Sequence, residues 1–189
     1  MGALRTPREK WVEAGLRALA SGGVDTVRVE ALAKALGVTK GGFYGYFADR
    51  EALLTAMLDA WERESVDEVI ERVEREGGDA RDKVRLAGQL TFSSERLLPI
   101  DLAVREWARR DEAVADRLRR VDDKRMQLAR EAIGTFCSDP EEVEARALLA
   151  FCAAIGSHFL AAGHPGGNRA PVIARAADII LDVPRGRAG

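Results

Sequence analysis

Arg28-Val29-Glu30-Ala31-Leu32-Ala33-Lys34-Ala35-Leu36-Gly37-Val38-Thr39-Lys40-Gly41-Gly42-Phe43-Tyr44-Gly45-Tyr46-Phe47 is the stretch on which the fold turns. Val29, Leu32, Ala33 and Leu36 follow the spacing i, i+3, i+4, i+7, so one stripe of a first helix faces a core. Gly37 follows where a residue with positive φ can end that helix and turn the chain. Thr39 stands where it can cap a second helix, either as a cap alone or as a cap that also touches a ligand. Phe43 and Phe47 lie one helical turn apart and face inward. Lys40, Tyr44 and Tyr46 are left outward, with Arg50 just beyond. Two short helices joined by a tight glycine turn form a helix-turn-helix, whose second helix enters the DNA major groove. A cation and phenolic hydroxyls on one exposed face suit phosphate oxygens.

Outward from this stretch, every periodic segment reads as helix and none as strand, so the fold class is all-α with about nine helices. A first helix starts near Pro7, with Thr6 as its cap, and carries Val12, Leu16 and Leu19 with Trp11 beside them; Ser21-Gly22-Gly23 stops it. A fourth begins after Asp49, which can cap it, and runs to Gly77-Gly78 on a stripe of Leu53, Leu54, Met57, Leu58 and Trp61. Five more follow. They span about 80–97, stopping before Pro99, then 100–109, 112–137 with Asp111 near its start, 140–160, and 170–183, ended by Pro184 and a frayed tail. The clearest boundary is Ser138-Asp139-Pro140-Glu141-Glu142, which places a cap, a first-turn proline and two acids against the helix dipole.

The composition, 47% hydrophobic and 32% charged, is that of a globular chain and contains no run able to span a membrane. Net charge is −2, which by itself argues against a general nucleic-acid binder; its distribution matters more. Residues 1–55 hold eight Lys/Arg against six Asp/Glu, whereas residues 56–189 hold 21 against 25. A mildly basic head on an acidic body suits local DNA contact. Cys137 and Cys152 fit no zinc or redox spacing and read as core packing in a reducing compartment.

Leu32-Ala33, Gly37-Val38-Thr39-Lys40-Gly41, Phe43-Tyr44, Tyr46-Phe47 and Asp49-Arg50-Glu51-x-Leu53-Leu54 together make residues 8–54 resemble the N-terminal domain of the tetracycline-repressor-type (TetR) family of bacterial transcription regulators. The resemblance implies a three-helix DNA-binding domain over residues 1–50 and a helical effector-binding and dimerisation domain over residues 51–189. It further implies cytoplasmic location, double-stranded DNA and a small-molecule effector as partners, a homodimer, and no cofactor. By position it assigns DNA contact to Arg28, Thr39, Lys40, Gly41, Gly42, Tyr44, Tyr46 and Arg50; Tyr46 and Arg50 match positions that touch phosphate in the family.

Two departures from the family pattern bear on the site. Arg28 stands where a small hydroxyl residue usually caps helix 2, so Thr26 is left to supply that cap; Arg28 reaches a guanine edge or minor groove, or is a plain surface arginine. Gly41, Gly42 and Gly45 each cost on the order of 1 kcal/mol relative to alanine in a helix. The second helix is therefore marginal alone, and specificity leans on Arg28, Thr39, Lys40, the exposed backbone and DNA shape.

The apolar residues of the last two long helices, with small residues that permit close approach, serve either an internal core or a four-helix interface between two copies. The resemblance favours the interface, with Leu149, Ala153, Gly156, Leu160, Ile173, Ala176 and Ile180 in it. For the effector, candidate lining is Trp61, Phe92, Leu102, Trp107, Met126, Phe151 and His158, all of which would equally serve as core. The run Arg105–Asp111 either clamps a ligand or forms neighbouring ion pairs. His158 and His164 are the only histidines, and neither metal-ligand spacing nor a nucleophile–base pair is visible, so catalysis is set aside. The reading is a ligand-responsive repressor that binds a palindromic operator as a dimer. The alternative is a helical ligand- or partner-binding protein with a silent DNA-binding head.

Overall fold

A computed structural model, which describes residues 7–163 and 167–182, is all-helical. Among the described residues, ten α-helices and one 3-10 turn follow in order: α1 (Arg8–Gly22), the turn Val24–Thr26, α2 (Val29–Leu36), α3 (Lys40–Phe43), α4 (Arg50–Ser65), α5 (Asp67–Glu76), α6 (Ala80–Phe92), α7 (Leu97–Ala108), α8 (Glu112–Gly134), α9 (Pro140–Gly156) and α10 (Ala170–Leu181). The expected cap Thr6, the residues His164–Gly166 of the break before α10, and the tail from residue 183, Pro184 included, lie outside the described residues.

The described helices sort into two compact units: residues up to Glu68 with Ser94–Val121, and Val69–Ser93 with the chain from Asp122 onward. In the first unit α1 packs on α2, α4 and α7. Its core is Trp11, Leu16 and Leu19 of α1, Leu32 and Ala33 of α2, Phe43, Phe47, and the α4 stripe Leu53, Leu54, Met57 and Trp61. The α1–α4 approach is close enough that a Cβ on Gly15 would stand 2.5 Å from Met57 Sδ. Arg96, at the start of α7, donates Nη1 to Glu13 of α1 at 2.7 Å and Nη2 to Glu64 of α4 at 3.0 Å. At the centre of this unit, Asp101 is fully buried and accepts from Trp61 Nε1 at 3.3 Å and Arg105 Nε at 2.9 Å.

In the second unit α9 packs on α6 and α10. Ile133, Cys137, Ala147 and Leu181 form a buried cluster with Val84, Met126, Ala129, Phe136 and Val143 against it. Asp139 caps α9 by accepting from the amides of Glu141 and Glu142, with Pro140 in the first turn, as the sequence predicts.

Several boundaries differ from the sequence reading. The single helix expected over 50–77 is interrupted at Val66, where φ −124° and ψ −66° leave the helical region. Ser65-Val66-Asp67 sets three weak helix formers in succession, and Asp67 then favours the start of a new helix. Pro99 lies in the first turn of α7 rather than beyond the end of α6, because a first-turn residue needs no amide donor and Ser94 Oγ accepts from Leu97 N at 3.0 Å. The helix expected to reach Leu160 ends at Gly156. Beyond it, Arg169 takes the carbonyls of Leu160 at 2.8 Å and Ala162 at 2.6 Å. Cys137 is core, but Cys152 is exposed, so the sequence reading of it as core packing is corrected: it lies on the outer side of α9.

Candidate nucleic-acid interface

The helix-turn-helix is built from the turn outward. Gly37 holds φ 68° and ψ 29°, a conformation that costs a residue with a Cβ roughly 1–2 kcal/mol. There the amide of Val38 donates to Ala33 O at 3.0 Å and that of Gly37 to Lys34 O at 3.1 Å, closing α2. Phe43 and Phe47 are buried and stack on one another at 5.3 Å between centroids, while Trp11 meets Phe43 edge-on at 5.3 Å. This aromatic wedge sets the placement of α3 without help from the helix itself.

Regular α3 covers only Lys40–Phe43. Gly41 and Gly42 fall within it, and a Cβ on Gly42 would meet nothing within 4 Å, so no packing demand requires glycine there. With one turn of helix, the dipole at Lys40 is correspondingly slight. Lys40 and Tyr44 stand exposed, Tyr44 at 55%, and Tyr46 is half-buried. Thr39 is exposed at the N-cap position with extended backbone, but its side chain makes no capping bond; Gly42 N instead bonds to Thr39 O at 3.0 Å.

Lys40 is not held for DNA alone. Its ammonium pairs with the carboxylate of Glu30 on the first turn of α2. Glu30 is the main cause that holds Lys40 above the ordinary lysine value, with Tyr44 contributing less; Lys40 in turn holds Glu30 below the ordinary carboxylate value.

Arg28 occupies the N-cap position of α2 without capping it, and its Nε folds back to Asp25 O at 3.0 Å. Thr26 does not supply the missing cap, because its hydroxyl bonds to Ala18 O and Gly23 O, both at 2.8 Å, at the end of α1. Arg50 departs furthest from its expected role. Its Nε donates to Val27 O at 2.7 Å, Nη2 to Val24 O at 2.7 Å and Nη1 to Glu51 at 3.1 Å. Arg50 thus fastens the start of α4 to the loop that precedes α2. Asp49 caps α4 as predicted, accepting from Ala52 N at 2.8 Å.

Sequence reasoning missed Glu30 and the clamp made by Arg50. Glu30 and Lys40 are ten residues apart, which matches no helical register, so only the turn angle between α2 and α3 brings them together.

In the body, the seven residues expected to line an effector site divide between the units: Trp61, Leu102 and Trp107 in the first, Phe92, Met126, Phe151 and His158 in the second. Trp61 and Trp107 are buried in packing. Phe92 and Phe151 meet edge-on at 5.7 Å, and His158 Nε2 donates to Phe92 O at 2.8 Å. A surface cleft of about 330 Å³ in the first unit has other walls: Asp59, Glu62, Arg63, Val66, Asp67, Arg120 and Val121. The run Arg105–Asp111 resolves into ion pairs and a cap: Arg105 with Asp101, Arg110 with Glu106 at 3.3 Å, and Asp111 accepting from Val114 N at 3.2 Å.

Of the residues assigned to a dimer interface, Leu149, Gly156 and Leu160 are exposed, whereas Ala153, Ile173, Ala176 and Ile180 are half-buried. Leu148, Phe159, Val172 and Ile179 join the exposed set, with Phe159 at 67% and Ile179 at 62%. Among the described residues, no helix is long and apolar enough to cross a membrane, and no group of three His, Cys, Asp or Glu is placed to hold a metal ion.

Residues 12–57 match the family model of bacterial regulatory proteins, tetR family. A comparison with curated proteins gives no match. Among solved structures, a transcriptional regulator from Rhodococcus sp. Rha1 superposes with a TM-score of 0.71 at 20% identity, over 93% of this chain and 94% of that one. A protein from Saccharomonospora viridis, described as a transcriptional regulator and crystallised with choline, gives 0.75 at 18% identity over 92% and 94%. A protein from Rhodococcus sp., described as a TetR-family transcriptional regulator, gives 0.59 at 24% over 92% and 94%. At these identities the structural likeness is one of fold, shared along nearly the whole chain. Residues 12–57 thus carry the sequence pattern of the tetR-family N-terminal domain, and the chain shares its fold with solved structures described as transcriptional regulators.

Proposed function

We propose that this protein is a one-component transcriptional repressor, which acts in the cytoplasm as a homodimer on a palindromic operator and is released by a small molecule. The observation that carries the reading is the aromatic wedge: burial of Phe43 and Phe47 holds Lys40 and Tyr44 outward on the second element of a helix-turn-helix. DNA contact belongs to residues 1–50, through Thr39, Lys40, Tyr44 and Tyr46, with the exposed backbone of Gly41 and Gly42 and the nearby Arg28. Arg50 acts in this reading chiefly by holding the head together.

Residues 51–189 carry effector binding and dimerisation. A second copy is the natural cover for this part of the chain, because Leu148 and Leu149 of α9, Phe159 and Leu160 beyond its end, and Val172 and Ile179 of α10 are all exposed apolar side chains, which water disfavours. Two heads related by a two-fold axis then meet half-sites about 35 Å apart, or a small multiple of that. The choline bound by the Saccharomonospora viridis protein supports a small molecule as the signal, without naming the one used here. Ligand in the body favours the head spacing that cannot span successive grooves, a shift between two states.

The test is selection of bound duplexes from a random pool at near-physiological salt, with a Lys40→Ala/Tyr44→Ala protein in parallel and sedimentation to establish the assembly state. A palindrome enriched by the parent and lost by the variant supports the reading. A folded dimer that enriches no sequence overturns it and leaves the protein with a silent head.

A further inference from the structure

The cation best placed on the exposed face of the helix-turn-helix already has an anion beside it. Glu30 lies on the first turn of α2, its carboxylate in contact with Lys40 Nζ, and both side chains are exposed, at 67% and 49%. The arginines that flank this pair in sequence are engaged elsewhere: Arg28 with Asp25 O, and Arg50 with Val24 O and Val27 O. A phosphate that approaches Lys40 therefore meets the negative charge of Glu30 beside it.

We propose that Glu30 is an affinity-setting residue of the DNA interface, a built-in competitor that neutralises Lys40 in the free protein and weakens its hold on DNA of any sequence. The inference rests on the DNA-binding reading above. Exposed ion pairs are weak, so the competitor slows no assembly and is displaced readily. Its effect is instead to keep general phosphate attraction low, so that a duplex must offer further contacts to be held. This also fits a head whose excess of positive charge is small.

The experiment uses the full-length protein and a fluorescein-labelled 30-base-pair duplex of arbitrary sequence, titrated by anisotropy from 50 to 200 mM salt. Four proteins are compared: parent, Glu30→Gln, Lys40→Gln and the double variant, each checked for parental helicity by circular dichroism. Glu30→Gln is expected to tighten binding about fivefold at 100 mM salt, the upper range for an exposed ion pair. It should also steepen the slope of log K against log salt by about 0.9, one further phosphate neutralised. In the Lys40→Gln background the same change should do less than about half as much, because the competitor then has nothing to neutralise. Equal tightening in both backgrounds overturns the proposal, since Glu30 would then act on DNA without Lys40. No tightening at all, in a parent that binds, overturns it also. Absence of salt-sensitive binding by every protein removes the DNA reading itself, and the proposal with it.

Discussion

Replacement of Arg50 by alanine separates two roles that the same side chain could fill. In the structure its guanidinium donates two charge-assisted bonds to backbone, to Val27 O and Val24 O, each at 2.7 Å. Such bonds are worth about 1.5–3 kcal/mol each, and the partial exposure of Arg50 places them at the low end, about 3 kcal/mol together. Release of the side chain returns about 1.5 kcal/mol of rotamer entropy, so the net loss is about 1.5 kcal/mol of head stability, roughly a tenfold rise in the unfolded fraction. Lysine should restore little, because one ammonium cannot reproduce a fork that reaches two carbonyls. The assay pairs urea unfolding, followed by circular dichroism at fixed protein concentration, with the salt dependence of duplex binding. A clamp predicts lower stability and an unchanged salt slope. A phosphate contact predicts the reverse: unchanged stability and a slope shallower by about 0.9. Observation of the second pattern would refute the clamp.

Three other perturbations follow from the same geometry. Asp101→Ala strips the acceptor from Trp61 Nε1 and a carboxylate partner from Arg105, a side chain only 16% exposed, so a loss of about 3 kcal/mol in urea unfolding is expected, against about 1 kcal/mol for Trp61→Phe; equal losses would contradict this arrangement. Gly37→Ala should cost about 1–2 kcal/mol by the same measurement, all of it conformational since a Cβ there meets nothing within 4 Å, and Gly37→Asn should cost less. Asp79 caps α6, and the amide of Asp82 foremost holds its carboxyl below the usual value. Its contribution is therefore complete above the ordinary carboxylate value near 3.9 and lost as pH falls below it. Asp79→Asn should flatten that acid limb in pH-dependent thermal melts, and an unchanged limb would count against the cap.

Features that depend on neighbours three or four residues away can be read from the order of residues alone. The caps at Asp49 and Asp139, the left-handed Gly37, and the inward pair Phe43 and Phe47 were all legible, because helical register and capping are local and each residue type there has one economical conformation. The outward set Lys40 and Tyr44 was legible for the same reason, as the complement of a buried stripe. Tertiary structure alone decided which partners those side chains meet. Glu30 reaches Lys40 across ten residues, Arg50 reaches Val24 across 26, and Trp61 finds Asp101 forty residues on. It also decided that Thr26 serves the end of α1 and leaves α2 uncapped, and that Cys152 faces outward while Cys137 is buried. A charged or hydroxyl side chain has several partners of nearly equal worth, and which one it takes is set by the angle at which helices pack, a quantity that no local pattern of residues encodes.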